Sequence, residues 1–266
     1  MNPFRYENGV LHADGISLAE LATEIGTPFY CYSESAISAQ YRAYVDAFAD
    51  QDAVICYAMK ANDNLAILRT FAELCAGADV VSGGELQRAL AAGIPPSKII
   101  FSGVGKTEDE LALALSTGIM QINVESFAEM EALSRAAVAK GVTAEIAIRI
   151  NPNVDAKTHD KISTGRKQDK FGIDIELAAD AYRKVAELPG LDAAAVAVHI
   201  GSQLTQLAPF RDAVKRVLAL IDRLAERDIV IDHLDVGGGL GIRYRDETPP
   251  SPAAYAENIR DLVADR

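Results

Sequence analysis

KIIFSGVGKTEDELALALSTGIMQINVESFAEMEALSRAAVAKGVTAEIAIRI, residues 98–150, plays one pattern through twice and begins it a third time. Lys98–Ser102 is a short β-branched and aromatic run, and Glu108–Ser116 has helical spacing. Gln121–Val124 is again strand-like, Phe127–Lys140 is an amphipathic helix, and Ala144–Ile150 opens the next turn of the pattern. A strand joined to the next strand through a helix makes the two strands parallel, because the crossover returns the chain to the same edge. The pattern extends in both directions. Candidate strands are Ala53–Tyr57, Ala78–Val81, Ala195–Ile200 and Ile229–Val236. Asn64–Ala76, Gly84–Ala92, Ile175–Glu187 and Pro209–Arg227 are the intervening helices. The fold class is α/β, built as a barrel or a doubly wound sheet.

Seven strands are legible, and a closed barrel of this kind has eight. A helix over Pro252–Ala264 should feed the eighth, so the chain is expected to be a portion of a longer protein. The first residues read differently. Phe4–Leu11 and Phe29–Tyr32 are strand-like, with Gly26-Thr27-Pro28 as a turn, and are expected to serve a second sheet. A helix over Glu34–Phe48 then leads into the first barrel strand. The expected division is 1–34 for the second β-domain and 35–266 for the barrel. Asn151–Gly172 is long, polar and lysine-rich, and reads as a functional loop.

The 266 residues are 49% hydrophobic, enough for one large core, and carry a net charge of −12. That balance argues against nucleic acid, which needs a basic footprint. No apolar run approaches the length of a membrane span. Cys31, Cys56 and Cys75 show no CxxC spacing and read as free thiols of a cytoplasmic protein.

The chemistry collects at strand ends. Lys60 follows the first barrel strand, at the mouth where barrel active sites lie, although a solvated surface lysine fits the position as well. Asp79 lies between apolar neighbours in the second strand. A carboxylate there needs a partner, and Lys60 on the adjacent strand is the expected one. Ser82 should cap the next helix, with Glu85 in its first turn. Arg149 and Asn151 end the fifth strand and are the candidates for substrate contact, Arg149 meeting either a ligand anion or a carboxylate. His199 ends the sixth, placed to lie against an aromatic ring or to serve the core, and Ser202 follows it. Gly237, Gly238 and Gly239 follow the seventh, as a phosphate cradle or a strained turn. A side chain at Gly239 is expected to block the approach of a phosphate.

Tyr57-Ala58-Met59-Lys60-Ala61-Asn62, Asp79-Val80-Val81-Ser82-Gly83-Gly84-Glu85, His199-Ile200-Gly201-Ser202-Gln203 and Asp235-Val236-Gly237-Gly238-Gly239 occur in one order along the chain. Together they resemble the pyridoxal-phosphate-dependent amino-acid decarboxylases of the alanine-racemase fold. Lys170-Phe171-Gly172, after Ser163-Thr164-Gly165, is similar to the branch of that family acting on meso-diaminopimelate. The resemblance implies a (β/α)8 barrel, here with seven strands, and pyridoxal 5'-phosphate as cofactor. It implies that Lys60 carries the cofactor as a Schiff base and moves protons, and that His199 stacks on the ring. Ser202 and Gly237–Gly239 are implied to hold the phosphate, and Asp79 to set the charge of Lys60. The implied reaction is decarboxylation of meso-diaminopimelate to L-lysine, the last step of lysine biosynthesis, in a homodimer. The family continues beyond the length of this chain with a Glu-Pro-Gly-Arg block, and then a β-domain supplying a Cys and a Tyr. Ornithine, arginine or D-lysine decarboxylases of this fold, a racemase, a non-catalytic pyridoxal-phosphate carrier and a catalytically dead interaction protein remain alternatives.

Overall fold

The computed structural model describes residues 3–155 and 171–264. The chain opens with a small antiparallel sheet, β1 (Phe4–Glu7), β2 (Val10–Ala13) and β3 (Ile16–Ser17), in that spatial order. The sequence reading took Phe4–Leu11 as one strand, and the structure folds it back at Asn8-Gly9. Both turn residues have positive φ, 51° and 81°, which a two-residue hairpin of primed type demands. Asp14-Gly15 repeats the device between β2 and β3. Helix α1 (Leu18–Ile25) follows, capped by Ser17, and was not foreseen. Phe29–Tyr32 is not a strand: it pairs with nothing among the described residues, and Tyr30 is 89% exposed.

From residue 34 the alternation is as expected. Helix α2 (Glu34–Ala47) leads to β4 (Cys56–Ala58), then α3 (Leu65–Glu73), β5 (Gly77–Val80), α4 (Gly83–Ala92) and β6 (Ile99–Phe101). There follow α5 (Glu108–Thr117), β7 (Gln121–Val124), α6 (Phe127–Lys140), β8 (Ala144–Asn151), β9 (Ile173–Asp174) and α7 (Ala178–Glu187). The series closes with β10 (Leu191–Val198), α8 (Ala208–Ala225), β11 (His233–Asp235) and α9 (Pro252–Val263). Caps explain most helix starts. Ser33, Asn64, Ser82, Ser126 and Ser251 each accept a backbone N–H of the first turn, and Thr107 forms a full capping box with Glu110.

The strand order is β11-β10-β8-β7-β6-β5-β4, every pairing is parallel, and the short β9 pairs with β8. The sheet curls. Gln121 and Asn123 on β7 hydrogen-bond His233 and Asp235 on β11 at 2.6 and 2.9 Å, across two intervening strands. A flat sheet would hold those strands more than 10 Å apart. Seven barrel strands are therefore present, and β4 and β11 are its two edges. Both are shorter than the sequence suggested for Ala53–Tyr57 and Ile229–Val236, because each has one neighbour to pair with. Ile146, Ile148 and Ile150 on β8 and Ile99 and Phe101 on β6 are fully buried or nearly so within the main core.

Candidate active site

Parallel strands put all their C-terminal ends at one mouth, so the residues just beyond them converge whatever their spacing in sequence. Beyond β4, Lys60 sits in a 3₁₀ turn, Met59–Ala61, anchored by fully buried Met59. The Tyr57 ring stacks on Phe71 with centroids 4.0 Å apart, and its hydroxyl donates to the Asn62 carbonyl at 3.1 Å. The Tyr57–Asn62 block is thus a clamp that fixes the turn bearing the lysine. Lys60 itself is exposed.

Asp79 on β5 lies opposite Ala58 and Ile100. The expected ion pair with Lys60 is not formed within 4 Å. Ser102 instead acts on the Asp79 carboxyl as its polar neighbour, with Lys60 acting through space. The reason is the turn: Lys60 lies past the end of its strand, while Asp79 points inward from the middle of its own. Burial pushes the Asp79 carboxyl up to about 6. Ser102 opposes the shift, Asp235 reinforces it, and Lys60 and Arg149 pull it down. One carboxyl oxygen, Oδ1, is buried with no hydrogen-bond partner, so this group is poised toward a proton or a ligand atom. Ser82 and Glu85 do what the sequence suggested. Ser82 caps α4 and Glu85 accepts the Val81 N–H at 2.8 Å.

Behind Asp79 runs a chain of polar side chains. His233 Nε2 meets Gln121 Oε1 at 2.6 Å, and Gln121 donates to Asn123 Oδ1 at 2.6 Å. Asn123 Nδ2 donates both to Ser102 Oγ at 3.1 Å and to Asp235 Oδ2 at 2.9 Å. With its oxygen accepting from Asn123, Ser102 has its own proton to give to Asp79.

Arg149 resolves in favour of a carboxylate: its Nη1 lies 2.7 Å from Glu125 Oε1, and its guanidinium sits 5.6 Å from the Phe171 ring centroid. Glu125, 6% exposed, also accepts the Gly103 N–H at 3.1 Å and the Gly172 N–H at 3.2 Å. A second buried pair, Lys106–Glu129 at 2.6 Å, stands behind it, and Glu129 accepts the Glu125 N–H at 2.9 Å. Asn151 is buried and its side-chain oxygen accepts the Asn153 N–H at 3.0 Å, which makes it a turn residue. Lys170 and Ser163–Gly165 lie outside the described residues.

His199, just past β10, is held neutral. Burial, then Arg149 and Lys60, lower its imidazole to about 3. Gly238 N–H points at its Nδ1 from 3.4 Å, which leaves the ring proton on Nε2. Ser202 is exposed beside it. Gly237 N–H donates to Asp235 Oδ1 at 2.8 Å and Gly238 N–H is already turned to His199, so a ligand would compete with the imidazole for the Gly238 amide. At Gly239 a Cβ meets Gly201 O at 1.9 Å, so the protein itself demands glycine there, alongside any demand from a ligand. Gly238 is the open position, where a Cβ meets nothing within 4 Å.

Glu125, Asn123, Gln121 and Ser102 were missed from sequence. The signal that flagged Asp79, a polar residue in an apolar strand, also applied to Ile122-Asn123-Val124-Glu125. Cys31, Cys56 and Cys75 are free thiols. Among the described residues there is no cluster able to hold a metal, and no helix is long and apolar enough to cross a membrane.

Curled parallel strands presenting a clamped lysine, a neutral histidine and a glycine-rich loop to one mouth define a β/α-barrel with its candidate site at the strand ends. The chain belongs to the pyridoxal-dependent decarboxylases: residues 34–266 match the family's pyridoxal binding domain. It is 52% identical to a diaminopimelate decarboxylase of Pseudomonas aeruginosa, covering 100% of this chain and 64% of that protein. The corresponding figures for the Aquifex aeolicus enzyme of that name are 46%, 98% and 62%. Among solved structures, diaminopimelate decarboxylase of Helicobacter pylori complexed with L-lysine superposes with a TM-score of 0.90 at 42% identity, covering 93% of this chain and 63% of that one. Diaminopimelate decarboxylase from m. jannaschii in co-complex with L-lysine gives 0.93 at 39% identity, covering 99% and 63%. The chain thus spans under two thirds of the length of these relatives.

Proposed function

We propose that this chain is the pyridoxal-phosphate-binding part of an enzyme that decarboxylates meso-diaminopimelate to L-lysine. The observation that carries the reading is identity of 52% to a named diaminopimelate decarboxylase across all 266 residues, with Lys60, His199 and the Gly237–Gly239 run all at strand ends. The residues present fit the cofactor. Lys60 is accessible, the orphaned Asp79 Oδ1 awaits a donor, and Gly238 has room before it.

Each residue then has a task. Lys60 holds the cofactor covalently through its ε-amine. His199, uncharged, would help hold the ring without adding charge to it. Ser202 and the Gly239 amide would take the phosphate, joined by the Gly238 amide once it turns from His199 Nδ1, with Gly237 bonded to Asp235 as the strut behind them. Asp79 holds or releases a proton within electrostatic reach of Lys60. Glu125 fixes Arg149, whose charge reaches both Asp79 and His199. Bound pyridoxal phosphate supplies the electron sink that lets carbon dioxide leave. Residues 1–34 are proposed to belong to a second β-domain, since among the described residues β1–β3 pair with one another and not with the barrel strands. The whole enzyme is proposed to be a cytoplasmic homodimer. The free thiols support the compartment, and the dimer rests on the family resemblance.

Carbon dioxide release by the full-length protein tests the substrate. Meso-diaminopimelate should turn over fastest among meso-diaminopimelate, lysine, ornithine and arginine. Faster release from ornithine would move the protein to a different decarboxylase of this fold.

A further inference from the structure

The loop after β10 carries Ser202, and the loop after β11 carries the Gly237–Gly239 run. They lie on neighbouring strands, and their joint geometry decides whether a hydroxyl and two amides can meet one phosphate. Backbone bonds begin the union: Leu204 N–H donates to Gly239 O at 2.9 Å, and Gly241 N–H donates to Leu204 O at 2.8 Å. Beyond that short ladder the main chains offer each other nothing more. There Gln203 takes over with its side chain. Its Nε2 donates to the Ile242 carbonyl, and its Oε1 accepts the Ile242 N–H at 3.0 Å. One primary amide thus copies the donor–acceptor pair of a peptide group and adds one more rung.

Gln203 also holds φ at +56°, a conformation that non-glycine residues adopt only where their surroundings over-determine it. The residue sits directly after Ser202, so the bend that aims its side chain at Ile242 also fixes the backbone that carries Ser202. Gln203 hydrogen-bonds neither Lys60, His199 nor Asp79, so it acts first on the two loops it joins, with the Gly238 N–H to His199 Nδ1 as a link from them to the ring end.

We propose that Gln203 is a positioning residue that staples the two phosphate loops together, so that affinity for the cofactor's phosphate depends on its paired hydrogen bonds to Ile242. The inference rests on the pyridoxal-phosphate reading and deepens it. It makes a separable statement: Gln203 acts first on the phosphate end of the site.

The test uses the full-length protein freed of cofactor and titrated separately with pyridoxal phosphate and with pyridoxal, which lacks the phosphate. The ratio of the two dissociation constants isolates the cradle. Gln203→Met keeps the length and apolar packing of the side chain and removes both hydrogen bonds. Gln203→Ala removes the side chain as well. Both variants should lower the preference for the phosphorylated form by about 10-fold, with pyridoxal affinity within about two-fold of wild type. A Gln203→Met ratio equal to wild type would overturn the staple. So would parallel losses for both ligands, because they would mark a general structural role. A wild-type protein with no preference for pyridoxal phosphate over pyridoxal would instead overturn the underlying phosphate reading, and the staple with it.

Discussion

Replacing Gly239 and Gly238 in turn by alanine separates what the glycine run does for the protein from what it does for a ligand. At Gly239 the φ of +105° disfavours any side chain, and a Cβ would stand 1.9 Å from Gly201 O, far inside contact distance. Relief requires the two loops to part, which breaks the 2.9 Å bond from Leu204 N–H to Gly239 O. Backbone strain of about 1–3 kcal/mol and a lost hydrogen bond of about 0.5–1.5 kcal/mol together make roughly 2–4 kcal/mol. At about 2–4 °C per kcal/mol for a protein of this size, Gly239→Ala should melt on the order of 5–15 °C below wild type. At Gly238 the added methyl meets no protein atom within 4 Å, so Gly238→Ala should melt within about 1 °C of wild type, since no strain or contact is at stake. Thermal unfolding of the cofactor-free full-length protein, followed by circular dichroism, gives both numbers. Any loss of cofactor affinity in Gly238→Ala then belongs to the ligand alone. Wild-type melting by Gly239→Ala would refute the argument from loop closure, and unchanged affinity in Gly238→Ala would refute the cradle at that amide.

Two other perturbations test the interior of the mouth. The Asp79 carboxyl is pushed up to about 6 from 3.8, chiefly by burial, so the folded state binds this proton more tightly than the unfolded chain. Its contribution is therefore fully present below pH 3.8 and is lost as pH rises toward 6, at up to about 1.4 kcal/mol per pH unit in that window. Asp79→Asn should flatten the stability profile between pH 4 and 6 in cofactor-free protein, and an unchanged profile would contradict the assignment. Glu125→Ala leaves Arg149 buried without its carboxylate and strips the Gly103 and Gly172 N–H groups of their acceptor. It should cost about 3–5 kcal/mol in urea unfolding, and a loss below about 1 kcal/mol would show that solvent readily replaces the pair.

The barrel was legible because its signal is repeated: β-branched runs and amphipathic helices alternate from residue 53 onward, and serine or threonine caps mark the helix starts. Strand-end residues were legible for the same reason, since parallel topology converts position in a strand into position at the mouth. What escaped was of two kinds. The N-terminal hairpins carry Asn8-Gly9 and Asp14-Gly15, strong turn signals that divide the strand-like stretch Phe4–Leu11 into two short strands. The polar interior escaped because side-chain partners are a property of the curl. Nothing in the sequence tells that Asn123 reaches Asp235 until β7 and β11 face each other. The Lys60–Asp79 pairing failed on a similar detail, the one-turn 3₁₀ segment that carries the lysine beyond its strand.

The central claim is that Lys60 holds pyridoxal phosphate. Borohydride reduction of the cofactor-loaded full-length protein, followed by peptide mapping, tests it most directly. The account predicts one pyridoxyl-modified peptide, and that it contains Lys60. Modification of any other lysine, or none in protein that retains bound cofactor, would contradict it.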